Sequence, residues 1–341
     1  MKKRILSLLL ISTIILIGFY QINASVFSSR SDFHRKNVTD AVIMSHNKFV
    51  RHARIAGFDN YSKFYVYSSP NYLLRFNAAL IKPDTVYLPF DTTVYTNVKG
   101  FYSVQISDQQ INLNMCTNGN ILSYSLHGEL TGRTNLQKAF TAVSATGNIA
   151  YIVRAFDSNM KNLKIIKADT EGKIILAKNL SQFNDAGISE DCLFVADKTH
   201  KTTIVLHFYN SEITVLDSNL KQVALWHTID QTSPKVIHTR SRGRALSTIE
   251  PTRTINKCGA VSGDKLYVLS KAMPYKDQFS FFKELRIPVD IYSTINGNYI
   301  GSFYLPAMKG KWPITFAVNH NLCVVTYPDG LSTFTLKHLP R

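Results

Sequence analysis

The sequence predicts an all-β protein folded as a six-bladed propeller, and three observations support this fold class. A hairpin phrase recurs along the chain, with apolar residues alternating on both sides of a Gly or Asn turn. Strand-forming units follow one another about every 42 to 50 residues, which is the period of a four-stranded propeller blade. No long segment beyond residue 47 shows the 3.6-residue period of a helix.

The N-terminus predicts export from the cytoplasm. Lys2, Lys3 and Arg4 precede an apolar run at residues 5–20, which is the order of a signal peptide. The run is long for a signal-peptide core and short for a membrane span, so residues 1–24 are either a cleaved signal peptide or a retained membrane anchor. Because the positive residues come first, the remainder faces the periplasm or the exterior. We therefore expect a cell-envelope protein on the periplasmic side, anchored in the inner membrane or secreted.

The segment after this signal is polar and irregular. Residues 25–47 lack a sustained period and are expected to form a tether, so the propeller is expected to occupy residues 48–341. Six units are predicted near residues 57–89, 100–136, 140–180, 185–229, 257–306 and 313–341. Each unit needs four strands to match a propeller blade.

Two phrases mark these units. Outer hairpins are predicted at residues 163–180, 212–226, 289–305, 121–136 and 72–88. Gly172, Asn219 and Gly297 supply the positive φ that the tight turns of the first three require. Opening strands are predicted to begin at Thr141, Asp185, Cys258 and Thr315. A second apolar strand follows each opening strand.

The last unit lacks an outermost strand. Residues 48–55 come just after the tether, and we predict that they form an N-terminal strand that completes the sixth blade and closes the ring. Closure removes the exposed sheet edges that an open array would carry. An extra apolar run at residues 203–208 is compatible with shifted strand boundaries in unit four or with a partial seventh blade.

The charge of the chain predicts an anionic partner. The formal net charge is +16, or +13 when the three cations of the signal segment are set aside (16 − 3 = 13). In an exported protein this excess favours an anionic glycan, a lipid or an acidic envelope protein, and the export signal argues against nucleic acid. A generally basic, soluble surface is the alternative explanation.

Two long insertions in unit five mark the predicted binding site. Residues 230–256 join unit four to unit five, and residues 273–287 join the second and third strands of unit five. Both connections leave the same face of an up-and-down blade, so they are expected to be neighbours at the rim of the central channel. Guanidinium groups suit anions, and aromatic rings suit sugars or apolar partner surfaces. The candidate ligand-binding residues are Lys235, His238, Arg240, Arg242, Arg244, Arg253, Tyr275, Phe279, Lys283 and Arg286.

No catalytic signature is present in the sequence. The chain contains no G-x-S-x-G, H-E-x-x-H, G-x-x-x-x-G-K-[ST] or G-x-G-x-x-G motif, so no catalytic residue, metal ligand or cofactor is assigned. His207 and His227 lie in or beside strands and are expected to be structural. Asp185, Glu190 and Asp191 are interpreted as turn residues, and the four cysteines as buried apolar residues.

The hairpins centred on Asp or Asn with Gly, the Ala-Val-Ser opening strand and the export signal resemble six-bladed propeller proteins of the TolB-like and NHL-like group from bacterial envelopes, especially those of Bacteroidetes. The resemblance covers nearly the whole exported part, and its motifs are structural. It implies a binding or scaffolding module. The alternative is an extracytoplasmic lyase or hydrolase that acts on an anionic glycan, because some related propellers are enzymes.

Overall fold

The computed structural model describes residues 12–13, 33–47, 50–90, 101–107, 109–146, 150–156, 163–179, 187–235, 237, 239–242, 245–248, 254–272, 274 and 286–337. Within these ranges the chain forms 26 β-strands, arranged as six four-stranded antiparallel sheets and one two-stranded hairpin. The predicted signal or anchor segment lies outside the described residues, apart from Ser12 and Thr13. Across the described ranges, no helix is long and apolar enough to cross a membrane.

The first three blades follow chain order from the innermost to the outermost strand. Blade one contains β2 (Arg54–Phe58), β3 (Phe64–Ser69), β4 (Tyr72–Phe76) and β5 (Asp84–Tyr87). Blade two contains β6 (Tyr102–Ser107), β7 (Gln110–Met115), β8 (Asn120–Ser125) and β9 (Leu130–Asn135). Blade three contains β10 (Phe140–Thr146), β11 (Ala150–Phe156), β12 (Leu163–Asp169) and β13 (Ile174–Asn179).

The last three blades include the ring closure. Blade four contains β14 (Cys192–Asp197), β15 (Thr202–His207), β16 (Glu212–Leu216) and β17 (Gln222–His227). Blade five contains β20 (Asn256–Ser262), β21 (Lys265–Ser270), β22 (Arg286–Ser293) and β23 (Tyr299–Pro306). Blade six contains β24 (Thr315–Asn319), β25 (Leu322–Tyr327), β26 (Gly330–Lys337) and β1 (Asp40–Asn47). The separate hairpin contains β18 (Thr239–Arg242) and β19 (Ala245–Thr248).

The core lies between the blades, and this arrangement confirms the predicted all-β, six-bladed propeller. The first strand of each blade faces the central channel, and neighbouring first strands pack beside each other, except that β6 and β10 are in little contact. Large side chains fill the space between blades, and Tyr267, Phe303, Tyr327 and Phe334 belong to one cluster shared by blades five and six. Burying one such side chain stabilises the fold by about 1.5–3 kcal/mol. All four cysteines are free, and Cys116, Cys192 and Cys323 are buried, as predicted.

Local turn chemistry produces the outer hairpins where the sequence predicts them, although the residue with positive φ in the blade-four turn is Leu220 and not Asn219. Asp169 accepts the backbone N–H groups of Glu171 and Lys173 at the turn between β12 and β13, which fixes the conformation of the turn. Gly172 has a φ of 90°, and a Cβ there would run into the carbonyl oxygen of Asn135 in the neighbouring blade. This glycine therefore serves both the turn and the contact between blades.

An N-terminal strand closes the ring, but it is not the predicted one. The outermost strand of blade six is Asp40–Asn47, which pairs antiparallel with β26, whereas Arg54–Phe58 is the innermost strand of blade one. The prediction for residues 48–55 was therefore wrong, and the closing strand lies in the segment expected to be a tether. Residues 41–44 of this outermost strand are consecutive apolar residues, so the strand lacks the two-residue alternation by which a strand is recognised. A bulge between Ile43 and Ser45 further disturbs the alternation.

The segment before this strand is tied to blade five. Arg35 Nε donates to Asp290 Oδ1 at 2.7 Å, and its Nη2 donates to Oδ2 at 3.0 Å. Ser302 Oγ also donates to Asp290 Oδ1, at 2.6 Å. The backbone N–H of Val38 donates to the Ser302 carbonyl, and the Ser302 N–H donates to the Lys36 carbonyl. We call the Arg35–Asp290 ion pair, with these contacts, the clasp.

Blade four begins later than the sequence predicts. Its innermost strand is Cys192–Asp197, and the run at 203–208 is the second strand of the same blade rather than an extra one. The predicted opening strand at Asp185 was wrong, because Gly187 instead has a φ of 73° and lies in a turn. In the described part of the chain, the region between blades four and five contains one two-stranded hairpin and no partial seventh blade.

Candidate functional site

One face of the ring carries the connections between blades and those between the second and third strands of each blade. We call it the connection face. Both long insertions of unit five open here, and their described ends lie side by side. The Lys271 N–H donates to the Ile255 carbonyl at 2.6 Å, and the Ile255 N–H donates to the Phe208 carbonyl at the same distance. The strand order therefore brings the bases of the two connections together.

The described members of the predicted site are spread along these connections. Lys235 is exposed in the first connection, and Arg286 is exposed at the start of β22, opposite Pro306. Arg240 and Arg242 lie on β18, in register with Ser247 and Ala245 of β19. The first connection is thus partly a hairpin rather than an irregular loop. The remaining predicted residues lie outside the described part of the chain: His238, Arg244, Arg253, Tyr275, Phe279 and Lys283.

A cavity of about 650 Å³ opens on the connection face between blades two, three and four. It lies where the ring is loosest, because β6 and β10 contact each other less than any other neighbouring pair of innermost strands. A hydrogen bond crosses this gap, from Gln105 Nε2 to the Val143 carbonyl at 2.9 Å. Most of the lining is apolar, and it includes Phe101, Phe140 and Phe208. We call this space the blade 2–4 cavity.

An ion pair forms the polar part of the lining. Arg154, on β11, donates from Nη1 to Asp191 Oδ1 and to Thr141 Oγ1, each at 2.7 Å. Its Nη2 donates to the Gly187 carbonyl at 2.8 Å. Asp191 Oδ1 also accepts the backbone N–H of Cys192 at 3.1 Å. The guanidinium group therefore ties blade three to the start of blade four.

The two partners of this pair differ in their access to the cavity. The Arg154 side chain is 3% exposed, whereas the Asp191 side chain is 38% exposed. Burial raises the pKa of Asp191, and the Arg154 charge acts in the opposite direction. A molecule that enters the cavity would meet the carboxylate, with the guanidinium group behind it.

A buried histidine lies beside the same pair. Burial and the nearby Arg154 charge lower the pKa of His207 to about 4, although a hydrogen bond to the Glu190 backbone opposes the shift. The imidazole is therefore neutral near pH 7. Within the described residues its Nδ1 has no hydrogen-bond partner. His207 is thus a buried, neutral residue of the blade core, and its structural role stays a prediction.

A smaller pocket of about 290 Å³ adjoins the cavity on the side of blade one. His52, Arg54 and Tyr102 contribute to its lining, and Phe101 lines both spaces. The Arg54 guanidinium carbon lies 5.8 Å from the centre of the Phe101 ring, within the range of a cation–π interaction. The mouth of the larger cavity therefore carries an exposed cation. The described residues contain no cluster of three or more potential metal ligands.

Sequence reasoning missed the ion pair. Asp191 was interpreted as a turn residue, but it pairs with an arginine 37 positions earlier in the chain. A usable signal was present, because Arg154 interrupts a strand of otherwise apolar residues, Ala150–Phe156. An arginine in a buried strand needs a partner. The identity of that partner depended on the fold.

No protein-family model matches the sequence, and no curated protein is similar to it in sequence. Among solved structures, the chain is similar to a catalytically inactive variant of virginiamycin B lyase from Staphylococcus aureus with quinupristin. The TM-score is 0.50 at 11% identity, covering 87% of this chain and 98% of the other. A DUF4221 family member from Bacteroides vulgatus gives a TM-score of 0.49 at 12% identity, covering 90% and 98%. BamB from Moraxella catarrhalis gives 0.43 at 11%, covering 82% and 85%. Of these three, only the lyase variant reaches a TM-score of 0.5, and at 11% identity that likeness bears on the fold and on nothing further. The TolB-like resemblance stays a prediction.

Proposed function

We propose that this protein is an extracytoplasmic binding or scaffolding module of the cell envelope, and that it engages an anionic ligand or an envelope protein at the blade-five part of the connection face. The observation that carries the proposal is the convergence of the two unit-five insertions, whose bases are joined by the hydrogen bond between Lys271 and Ile255. Long connections on a rigid ring are where binding residues concentrate.

The exposed charges on this face support an anionic partner. Its exposed cations include Arg51, Arg54, Lys235, Lys271 and Arg286. Arg240 and Arg242 add two more cationic positions on the β18–β19 hairpin. A surface of this kind attracts carboxylate, sulfate or phosphate groups over distances of about 10 Å at moderate salt. Export by the N-terminal segment would place that surface among anionic lipids and glycans of the envelope.

The test is retention on a heparin column, with the full chain and two variants of equal charge change. The first variant is Arg240→Ser, Arg242→Ser and Arg244→Ser. The control replaces three lysines at turns of the opposite face, Lys173, Lys201 and Lys221, by Ser. We expect the arginine variant to elute at lower salt than the lysine variant. Equal elution of the two would show that retention reflects net charge, and the proposal for this face would fail.

A glycan-specific lyase or hydrolase would use the same face. Any anionic glycan that the full chain retains should therefore be incubated with it and the products separated by size. Chain shortening would establish the enzymatic alternative, whereas an unchanged glycan that stays bound supports a binding module.

A further inference from the structure

We propose that the blade 2–4 cavity is a second binding site, which takes small amphipathic amines: an apolar, preferably aromatic body among the phenylalanines, and a protonated nitrogen that donates to Asp191. The predicted unit-five residues do not line this site, although the base of the first insertion contacts its Phe208 wall. The ligand proposed here is a cation, whereas the one proposed for blade five is an anion. Either proposal can therefore fail without the other.

The size and lining of the cavity match a small-molecule site. Such sites enclose about 300–1,000 Å³, are mostly apolar and carry a few fixed polar groups. This cavity encloses about 650 Å³. Phe140 and Phe194 are buried in its wall, Phe208 is half-buried, and Phe101 is exposed at the mouth. An aromatic ring that enters would replace water along these side chains, which favours binding.

The hydrogen bonds of Asp191 determine the ligand's polar group. Oδ1 already accepts two protein donors, the Arg154 Nη1 and the Cys192 N–H. In the part of the chain that the structure describes, Oδ2 accepts none. A carboxylate oxygen can only accept while it is ionised, so the ligand must supply a donor. A protonated amine offers both the donor and the complementary charge.

Arg154 fixes the position of the Asp191 carboxylate, which distinguishes this site from an acidic side chain on the open surface. Its three hydrogen bonds, to Thr141, Asp191 and Gly187, hold the carboxylate at the cavity wall. Its Nε is buried and has no acceptor among the described residues. Because the Arg154 guanidinium group is covered and the Asp191 carboxylate is not, an anionic ligand that has passed Arg54 at the mouth would meet the negative member of this pair first. The cavity therefore discriminates against anions although the protein as a whole is basic.

The test uses three probes of similar size that differ in charge: 2-phenylethylamine, 2-phenylethanol and 3-phenylpropanoate. Binding to the full chain is measured by ligand-observed NMR, with the same mild detergent in every sample. We expect the amine to bind with a dissociation constant of about 1 mM or below, which is reasonable for so small a ligand. The alcohol should bind several-fold more weakly, and the carboxylate should not bind at this site.

Three variants locate the binding. Asp191→Asn removes the charge and should weaken amine binding about tenfold, the usual consequence of losing a charge-assisted hydrogen bond. Thr117→Trp fills the mouth from an exposed lining position and leaves the ion pair intact, so it should abolish binding. This variant keeps the proposal testable if Asp191→Asn misfolds. Glu171→Gln is the matched control, because Glu171 is an exposed acid on the opposite face. It should bind the amine like the unaltered protein.

Three results would overturn the proposal. One is no amine binding by the unaltered protein, and another is tighter binding of 3-phenylpropanoate than of 2-phenylethylamine. The third is equal amine binding by Thr117→Trp and Glu171→Gln, which would place the amine elsewhere on the surface or in the detergent. None of these results depends on the heparin test of blade five.

Discussion

The clasp between Arg35 and Asp290 should be one of the most stabilising single interactions in the ring. Both side chains are almost fully buried, at 5% and 2% exposure. Asp290→Asn keeps the size of the side chain but removes its charge, and it leaves the Arg35 guanidinium buried without a counter-charge. Removing one member of a buried pair costs about 3–5 kcal/mol. We expect a loss of this size in the free energy of unfolding.

The expected shift in melting temperature follows from the size of the protein. An unfolding entropy of roughly 2.1 cal/mol/K per residue over roughly 300 folded residues gives about 0.63 kcal/mol/K. A loss of about 3–5 kcal/mol therefore lowers Tm by about 5–8 °C. Circular dichroism melts give the shift, and urea titrations give the free energy where unfolding is two-state.

Two further variants separate the buried charge from general damage. Asp84→Asn breaks the exposed pair between Asp84 and Arg75, and it should leave Tm close to that of the unaltered protein. The double variant Arg35→Met with Asp290→Leu removes both charges, and it should be more stable than Asp290→Asn alone. If Asp290→Asn and Asp84→Asn have the same Tm, the buried charge of the clasp does not stabilise the ring as argued.

Two other perturbations test the closure and the blade core. Deleting residues 40–47 should lower Tm by more than Asp290→Asn does, because β26 loses its partner and the ring opens; an unchanged Tm would contradict closure by β1. The lowered pKa of His207 makes stability depend on pH: between about 6.5 and about 4 the unfolded chain binds a proton that the folded chain does not. Stability should therefore fall by up to about 3 kcal/mol as pH drops through this window, and His207→Gln should flatten that part of the profile; an unchanged slope would exclude His207 as the cause.

The blades could be predicted because their signals are local. The turn between β12 and β13 is determined by Asp169 and Gly172, which lie within a few residues of the hydrogen bonds they make. The alternation of apolar residues on the flanking strands is equally local. The repeat period then led from hairpins to six blades without any knowledge of long-range contacts.

The closing strand and the two buried ion pairs depend on contacts that the sequence does not show. Residues 40–47 have four consecutive apolar residues and a bulge, so the two-residue period that marks a strand is lost. Arg35 and Asp290 are 255 residues apart, and the energy of their contact exists only after the ring has formed. Arg154 was a local anomaly in an apolar strand, but its partner could not be inferred without the fold.

The measurement that tests the central claim most directly is binding of the full chain to a panel of anionic glycans, lipids and envelope extracts. The Arg240, Arg242 and Arg244 triple variant and the Lys173, Lys201 and Lys221 control should be measured beside it. We predict at least one specific partner that the arginine variant loses and the lysine control keeps. Binding that survives in the arginine variant, or no specific partner in the panel, would contradict recognition of an anionic partner at the blade-five part of the connection face.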